Sequence, residues 1–308
     1  MRSHTFTRRS LGASAFFTLP LLCTGGLLAA GLLPGCSTSA PTGDATLYFS
    51  AIPDANKTEL DEGYGKVAAY LAKELGVPVK FRPAIDYSAS VEAFKNGDIQ
   101  LAWFGGVTGV QARRAVPGAR AIAQGKVDPE YVSYFVANVA TGIQPSASFP
   151  MALAGKRFTF GPETSTSGRV MPEFYIREAT GKSPADFFGH ANKHTKGHDI
   201  TAKEVEAGTV DAGVLSYAKY DDMVAKGDLD PAKCVKIWTT PPYPDYNWTA
   251  HPSLETVYGA GFTEKLQKAL VGIKDPELLG VLLRKDGLIP AENKDFDRTA
   301  TTMAAIGM

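Results

Sequence analysis

From Ala45 onward the chain alternates short β-rich runs with amphipathic helical runs, which restricts it to α/β architectures built on mostly parallel sheets. "TLYFSAI" (46–52) reads as the first strand, and Leu60, Tyr64, Val67, Ala68, Leu71 and Leu75 then recur at the three- and four-residue steps of a helix that stops at Gly76. "VPVKFRPA" (77–84), "SASVEAFKNG" (88–97) and "IQLAWFGG" (99–106) continue as strand, helix and strand. "YVSYFVAN" (131–138) is a further strand, leading into the polar, proline-bearing stretch from Thr141 to Pro150. A second series follows: strand "KRFTFGP", a helix from Gly168 to Thr180, a helix near Thr201–Ala207, strand "VDAGVLS", a helix near Tyr217–Lys226 and strand "VKIWTT". Pro241, Pro242 and Pro244 stiffen the next segment, and the C-terminal helices, with no strands of their own to cover, are expected to pack back on the first half. The expected product is two lobes joined by two crossing segments: lobe I from 45–135 plus 247–308, lobe II from 136–246. Ligands of such sheets sit beyond the carboxyl ends of the strands, here in the cleft between the lobes.

The first 35 residues have a different character. Arg8 and Arg9 precede an uncharged apolar stretch from Leu11 to Leu33, the order of an export signal, and the paired arginines fit the twin-arginine route. The stretch ends in "LLPGC", which places Cys36 where a lipobox cysteine would be lipidated and become the first mature residue. Over 308 residues, 32 basic and 32 acidic side chains balance, so bulk charge gives no argument for nucleic acid as a partner. Removing residues 1–35 takes away Arg2, Arg8 and Arg9 and no acid, leaving 29 basic against 32 acidic residues. Cys23 leaves with the signal and Cys36 carries lipid, so Cys234 stands alone, without a disulfide partner, and reads as buried filler.

One stretch asks for more than structure. "GPETSTSGRVMPEFY" (161–175) puts Ser165, Thr166, Ser167 and Gly168 at the mouth of a helix, where a single hydroxyl would suffice as a cap. The first N–H groups of a helix lack intrahelical partners and its dipole favours negative charge there, so hydroxyls and a glycine at that place suit a tetrahedral oxyanion. Two other helix starts point the same way: Tyr87 and Ser88 in "DYSAS", and Gly105, Gly106, Val107 and Thr108 in "FGGVTG". An anion held between helix N-termini of both lobes would draw the cleft shut. Asp211 in "TVDAG" either faces the cleft or is a solvated turn; a carboxylate beside an oxyanion would imply a ligand that still carries a proton or an amine. His190, His194 and His198 recur at four-residue spacing, which on a helix could bind a metal, although Gly189 and Gly197 argue against that helix. A secreted hydrolase using a "STS" serine with His198 as base is a further alternative, lacking both a G-x-S-x-G elbow and an orienting third residue.

"IPDANKTELDEGYGKVAAYLAKELG", "DYSASVEAFKNGDIQLAWFGG", "STSG", "HDITAKEVEAGTVDAG" and "WTTPPYPD" resemble, in order and spacing, the periplasmic binding proteins of phosphonate- and phosphite-type ABC transporters, over about Thr46 to Pro252. The wording around "STSG" is most similar to a selenate-binding branch. The resemblance implies a class II-like periplasmic binding fold, a small oxyanion ligand (selenate, phosphite or phosphonate), an ABC permease as partner, and neither cofactor nor catalysis. It implies ligand donors from Tyr87, Tyr131, Ser165, Thr166, Ser167 and His198, beside Gly105, Gly106 and Asp211. After "WFGG" the phosphonate branch tends to carry an aromatic residue where this chain has Val110, which favours a compact oxyanion over one with an organic tail.

Overall fold

The computed structural model describes residues 45–54 and 57–308; the expected signal at 1–35 and Cys36 lie outside these residues. In chain order the first elements are β1 (Leu47–Ala51), α1 (Lys57–Leu75), β2 (Val79–Phe81), α2 (Tyr87–Lys95), β3 (Leu101–Phe104), α3 (Gly106–Ala115) and β4 (Arg120–Gly125). Then come β5 (Ser133–Asn138), β6 (Phe158–Phe160), α4 (Met171–Thr180), α5 (Pro184–Phe188), β7 (Lys193–His194), α6 (His198–Glu206), β8 (Ala212–Ser216), α7 (Tyr217–Lys226) and β9 (Cys234–Thr239). The chain ends in β10 (Asn247–Ala250), α8 (Ser253–Tyr258), α9 (Phe262–Val271), α10 (Pro276–Val281), β11 (Leu288–Pro290) and α11 (Asp297–Ala305). Two sheets result, ordered β11-β4-β10-β3-β1-β2 and β7-β6-β8-β5-β9.

The sheets are mixed, and the reason lies in the crossings. β10 runs antiparallel to both β3 and β4, and β5 runs antiparallel to both β8 and β9. A strand reached by a crossing segment starts at the end of its new sheet nearest the crossing and runs away from it. Its neighbours point toward that same end. The expectation of mostly parallel sheets therefore needs this correction, as does the expectation that the C-terminal third adds helices alone: β10 and β11 both join the first sheet. The first crossing falls between Gly125 and Ser133, ahead of β5, so the boundary placed after residue 135 moves to the near side of that strand. The second falls between Thr239 and Asn247. The two segments are tied to each other at Tyr131 and Tyr243, each N–H donating to the other's carbonyl at 2.9 Å.

α1 illustrates how pattern becomes packing. Tyr64, Val67, Leu71 and Leu75 are buried, with Leu60 and Ala68 nearly so, against the first sheet, where Phe49 meets Tyr64. Burying each such side chain is worth roughly 1.5–3 kcal/mol. Leu71→Ala is expected to lower unfolding free energy by about 2–5 kcal/mol, read by urea denaturation. Cys234 is fully buried in the second half's core, and burial pushes its thiol up to about 12. It is expected to resist maleimide until the protein is unfolded.

Candidate functional site

The carboxyl ends of β3, β6 and β8 and the two crossing segments converge on one buried region. α3 opens there with Gly105 as its N-cap residue, which has no side chain to cap it. Its first N–H groups are taken by side chains from elsewhere: Gly106 donates to Asp245 Oδ1 at 2.8 Å and Val107 to Thr166 Oγ1 at 3.0 Å. A Cβ on Gly105 would stand 3.2 Å from Thr166 Oγ1 and 3.3 Å from Asp245 Oδ1, so glycine permits this approach. Thr166 belongs to the second half, and its bond to Val107 bridges the two halves directly.

The "STSG" turn has a widened geometry. Arg169 and Val170 both donate to the Ser165 carbonyl, at 3.1 and 3.0 Å, making a π-helical turn over Thr166–Val170 before α4 begins. Such turns accompany functional sites because they reorient side chains that a regular helix would stack. Ser165 Oγ accepts the Gly168 N–H at 2.9 Å, so this residue does cap the turn. The Ser167 carbonyl accepts from Ser133 Oγ at 2.7 Å, which fixes the turn to the start of β5. All three hydroxyl residues are buried.

His198 opens α6 at 0% exposure. Its Nδ1 accepts the Ser216 N–H at 3.3 Å, so the ring proton resides on Nε2, and Nε2 has no partner among the described residues. Burial, reinforced by Lys219, lowers its pKa to about 3, leaving a neutral imidazole that offers one N–H into the site. Its ring lies against the turn: a Cβ on Gly168 would be 3.0 Å from His198 Cε1 and 2.9 Å from Ser165 Oγ. Tyr87, the first residue of α2, is 3% exposed, and its hydroxyl also lacks a partner of hydrogen-bond geometry among the described residues. Burial raises it far above a tyrosine's usual range, with Asp54 and Asp245 adding to the effect. The Tyr131 hydroxyl is bonded to Ser216 Oγ, so this residue lines the site already engaged.

Asp245 was not singled out from sequence, yet it is 1% exposed and central. Its Oδ2 has no partner among the described residues. Burial drives the carboxyl up to about 7, against the Gly106 N–H and Thr166, which favour the ionised form. The available signal was its place directly after Pro244 at the end of the second crossing, two residues beyond Tyr243, the counterpart of Tyr131 on the first.

Asp211, by contrast, is corrected out of the site. It precedes β8 at the end away from the cleft, while Ser216 ends that strand inside it, five residues or about 17 Å along. There Asp211 pairs with Arg157 at 2.6 Å and accepts its backbone N–H at 2.9 Å. Asp86 is an exposed cap on α2 and Glu163 is also exposed. The histidine triplet is dispersed: His190 bonds the Lys156 and Ala191 carbonyls, His194 the Gly161 carbonyl, and only His198 enters the site. Among the described residues no group of three or more His, Cys, Asp or Glu could hold a metal. Val110 packs with Val107, Ala121, Val170 and Phe296 in a separate cluster, so the aromatic-to-valine change carries no information about a ligand tail. A cavity of about 350 Å3 does adjoin the site, lined by Asp54, Trp103, Tyr131, Ser216, Lys219 and Tyr246 among others.

The family profile of phosphonate ABC transporter periplasmic substrate-binding proteins matches residues 49–296. The chain is 35% identical over 256 residues to "Probable ABC transporter phosphite binding protein PhnD1" of Prochlorococcus marinus, covering 81% of this chain and 86% of that one. It is 31% identical over 211 residues to "Phosphate-import protein PhnD" of Mycolicibacterium smegmatis, covering 66% and 65%. The solved structure of Prochlorococcus marinus PhnD1 with methylphosphonate superposes with a TM-score of 0.79 at 34% identity, over 85% of this chain and 98% of that one. A binding component of a Pseudomonas aeruginosa phosphonate transporter, at 17% identity and a TM-score of 0.72 over 84% and 85%, shares the fold.

Proposed function

The chain belongs to the family of phosphonate ABC transporter periplasmic substrate-binding proteins, and on that premise we propose that it captures a small phosphorus oxyanion bearing one proton, of the phosphite or methylphosphonate kind. The observation that carries the reading is a set of three buried polar atoms at the site without partners among the described residues: His198 Nε2–H, the Tyr87 hydroxyl and Asp245 Oδ2. The first two can donate to anionic oxygens. An ionised Asp245 can only accept, so the ligand must present a hydrogen to it. Thr166, Ser165 and Ser167 and the start of α3 surround the place, with Tyr131 closing one side. The relatives are substrate-binding components of transporters, and the reading here is capture of the anion without turnover.

The two sheets with their helices act as lobes hinged at 126–132 and 240–246, and the bridge from Thr166 to Val107 belongs to the shut form. The chain is read as exported by its first 35 residues and anchored through lipid on Cys36, beside the permease it serves. Cys36→Ser is expected to release the protein from the membrane fraction, and retention there would remove the anchor.

Isothermal titration at neutral pH tests the ligand class. Phosphite or methylphosphonate is expected to bind about a hundredfold more tightly than sulfate or selenate, which bring no proton to an acceptor. Equal or tighter binding of sulfate or selenate would refute the proton-bearing class, and selenate alone among the panel would favour the selenate branch.

A further inference from the structure

Below the site sits a buried ion pair, neither member of which is assigned to the ligand. Asp128, at 0% exposure in the first crossing, accepts the Arg284 Nε–H at 2.8 Å and approaches Arg284 Nη2 at 2.7 Å; Arg284 is 2% exposed. The guanidinium carbon lies 4.5 Å from the centre of the Tyr246 ring, 5.1 Å from Tyr131 and 5.4 Å from Trp103. These three rings wall the cavity beside the anion site. The pair also reaches Asp245 through the backbone, because the Asp245 N–H donates to the Asp128 carbonyl at 3.0 Å.

The chain accepts strain to build this. Leu283, immediately before Arg284, has φ +52° and is the one non-glycine residue in the left-handed region among those described. A branched side chain there is costly and persists where surrounding structure demands it. A Cβ on Gly125 would lie 2.4 Å from Arg284 Cδ and 2.6 Å from Asp128 Oδ2, so packing around the pair is tight on that side as well. A buried ion pair is weak evidence for stability, since hydrophobic replacements often serve as well. A positive charge set under an anion site has a separate use.

We propose that Arg284, held by Asp128 against Trp103, Tyr131 and Tyr246, is a positioning residue whose charge strengthens the oxyanion site and sets the pH range over which it works. The inference rests on the reading of Asp245 as a ligand group. Other charged and titratable groups around Asp245 are Asp128 and Arg284 themselves, the tyrosines 87, 131, 243 and 246, and Asp54, which shares Tyr87 and Tyr246 with it and whose carboxyl burial raises. The tyrosines stay neutral across the working range, because burial raises all four. Asp128 and Arg284 act on Asp245 in opposite senses: Asp128 raises its pKa and Arg284 lowers it.

The test is the affinity of phosphite and methylphosphonate by titration calorimetry from pH 5 to 9, on the mature protein and on Asp128→Asn, Arg284→Gln and Arg284→Lys. An asparagine in place of Asp128 would still accept from Arg284 while shedding the negative charge. Asp128→Asn is expected to tighten binding several-fold and to move the centre of the affinity profile down by about half a pH unit; Arg284→Gln is expected to weaken binding about tenfold without moving the centre down. Arg284→Lys keeps the charge and loses the planar stacking, so its profile stays centred as in the parent; it decides the matter if Arg284→Gln does not fold. A merely structural pair predicts weaker binding in both neutralising variants. Weakening by Asp128→Asn, a profile unmoved or raised in it, or a profile displaced in Arg284→Lys overturns the inference while leaving the ligand reading intact. If the parent protein binds neither anion, that reading falls and this one with it.

Discussion

Asp245→Asn is expected to abolish the loss of phosphite affinity at alkaline pH and to admit sulfate. In the parent protein the complex holds one proton shared between ligand and carboxyl, so affinity must fall tenfold per pH unit once both free partners have lost it. Asp245, raised to about 7 by burial, puts that decline above neutrality, and two units higher the loss is about a hundredfold. An asparagine can keep the Gly106 N–H bond through its carbonyl and turn an amide donor toward the ligand. The requirement for a proton then disappears. Affinity in the variant should rise through the ligand's own ionisation and stay level, while sulfate gains tenfold or more because an acceptor–acceptor clash has become a donor contact. Calorimetry between pH 6 and 9 with both anions checks this. An alkaline decline that survives the substitution, with sulfate still refused, would mean that Asp245 does not face the ligand.

That prediction depends on a residue whose role was illegible in the sequence, and the reason is physical. α1 could be read because its burial follows a local period: Tyr64, Val67, Leu71 and Leu75 report one face of one helix. Asp245 is defined by a nonlocal event, the meeting of a crossing segment with the start of α3 about 140 positions earlier in the chain. Its neighbouring prolines signalled rigidity and nothing more. Asp211 failed for the opposite reason. It sits beside a correctly read strand, but the end of a parallel strand that faces a cleft is its carboxyl end, and Asp211 precedes β8 whereas Ser216 closes it. Strand direction alone would have favoured Ser216. β10 escaped notice because four residues, "NWTA", are too few to show a period, and β11 is shorter still. α3 showed its start in "FGGVTG" but not its extent, because glycines at 106 and 109 weaken the helical pattern; the second lets Arg113 and Asn247 pack closely on the helix. The helix starts carrying Tyr87 and Ser165 were recognisable, since cap chemistry and N-terminal placement are written in adjacent residues, whereas His198, whose helix was read only from near Thr201, entered through the family resemblance.

His198→Gln should uncouple the site's neutrality from its donor. The imidazole is held neutral by burial, with a pKa near 3 against about 6.5 in an unfolded chain. Between those values the unfolded state binds a proton that the native state refuses. The contribution is therefore complete above pH 6.5 and is lost as pH falls toward 3, at roughly 1.4 kcal/mol per unit. Asp245 acts in the reverse sense: its raised carboxyl contributes fully below about 3.9 and loses that contribution as pH rises through 7. The native protein thus balances opposing slopes across the mildly acidic range. Glutamine retains an amide donor where Nε2–H was and cannot titrate. Relative to the parent, the variant is expected to gain roughly 3 kcal/mol of stability between pH 7 and pH 4, read from urea unfolding at unit steps. Its phosphite affinity at neutral pH should fall by less than that of His198→Ala, which removes the donor and opens a cavity. A stability difference that stays constant with pH would show that His198 protonates freely in the native protein, and with that the neutral N–H aimed at the ligand would be lost from the site.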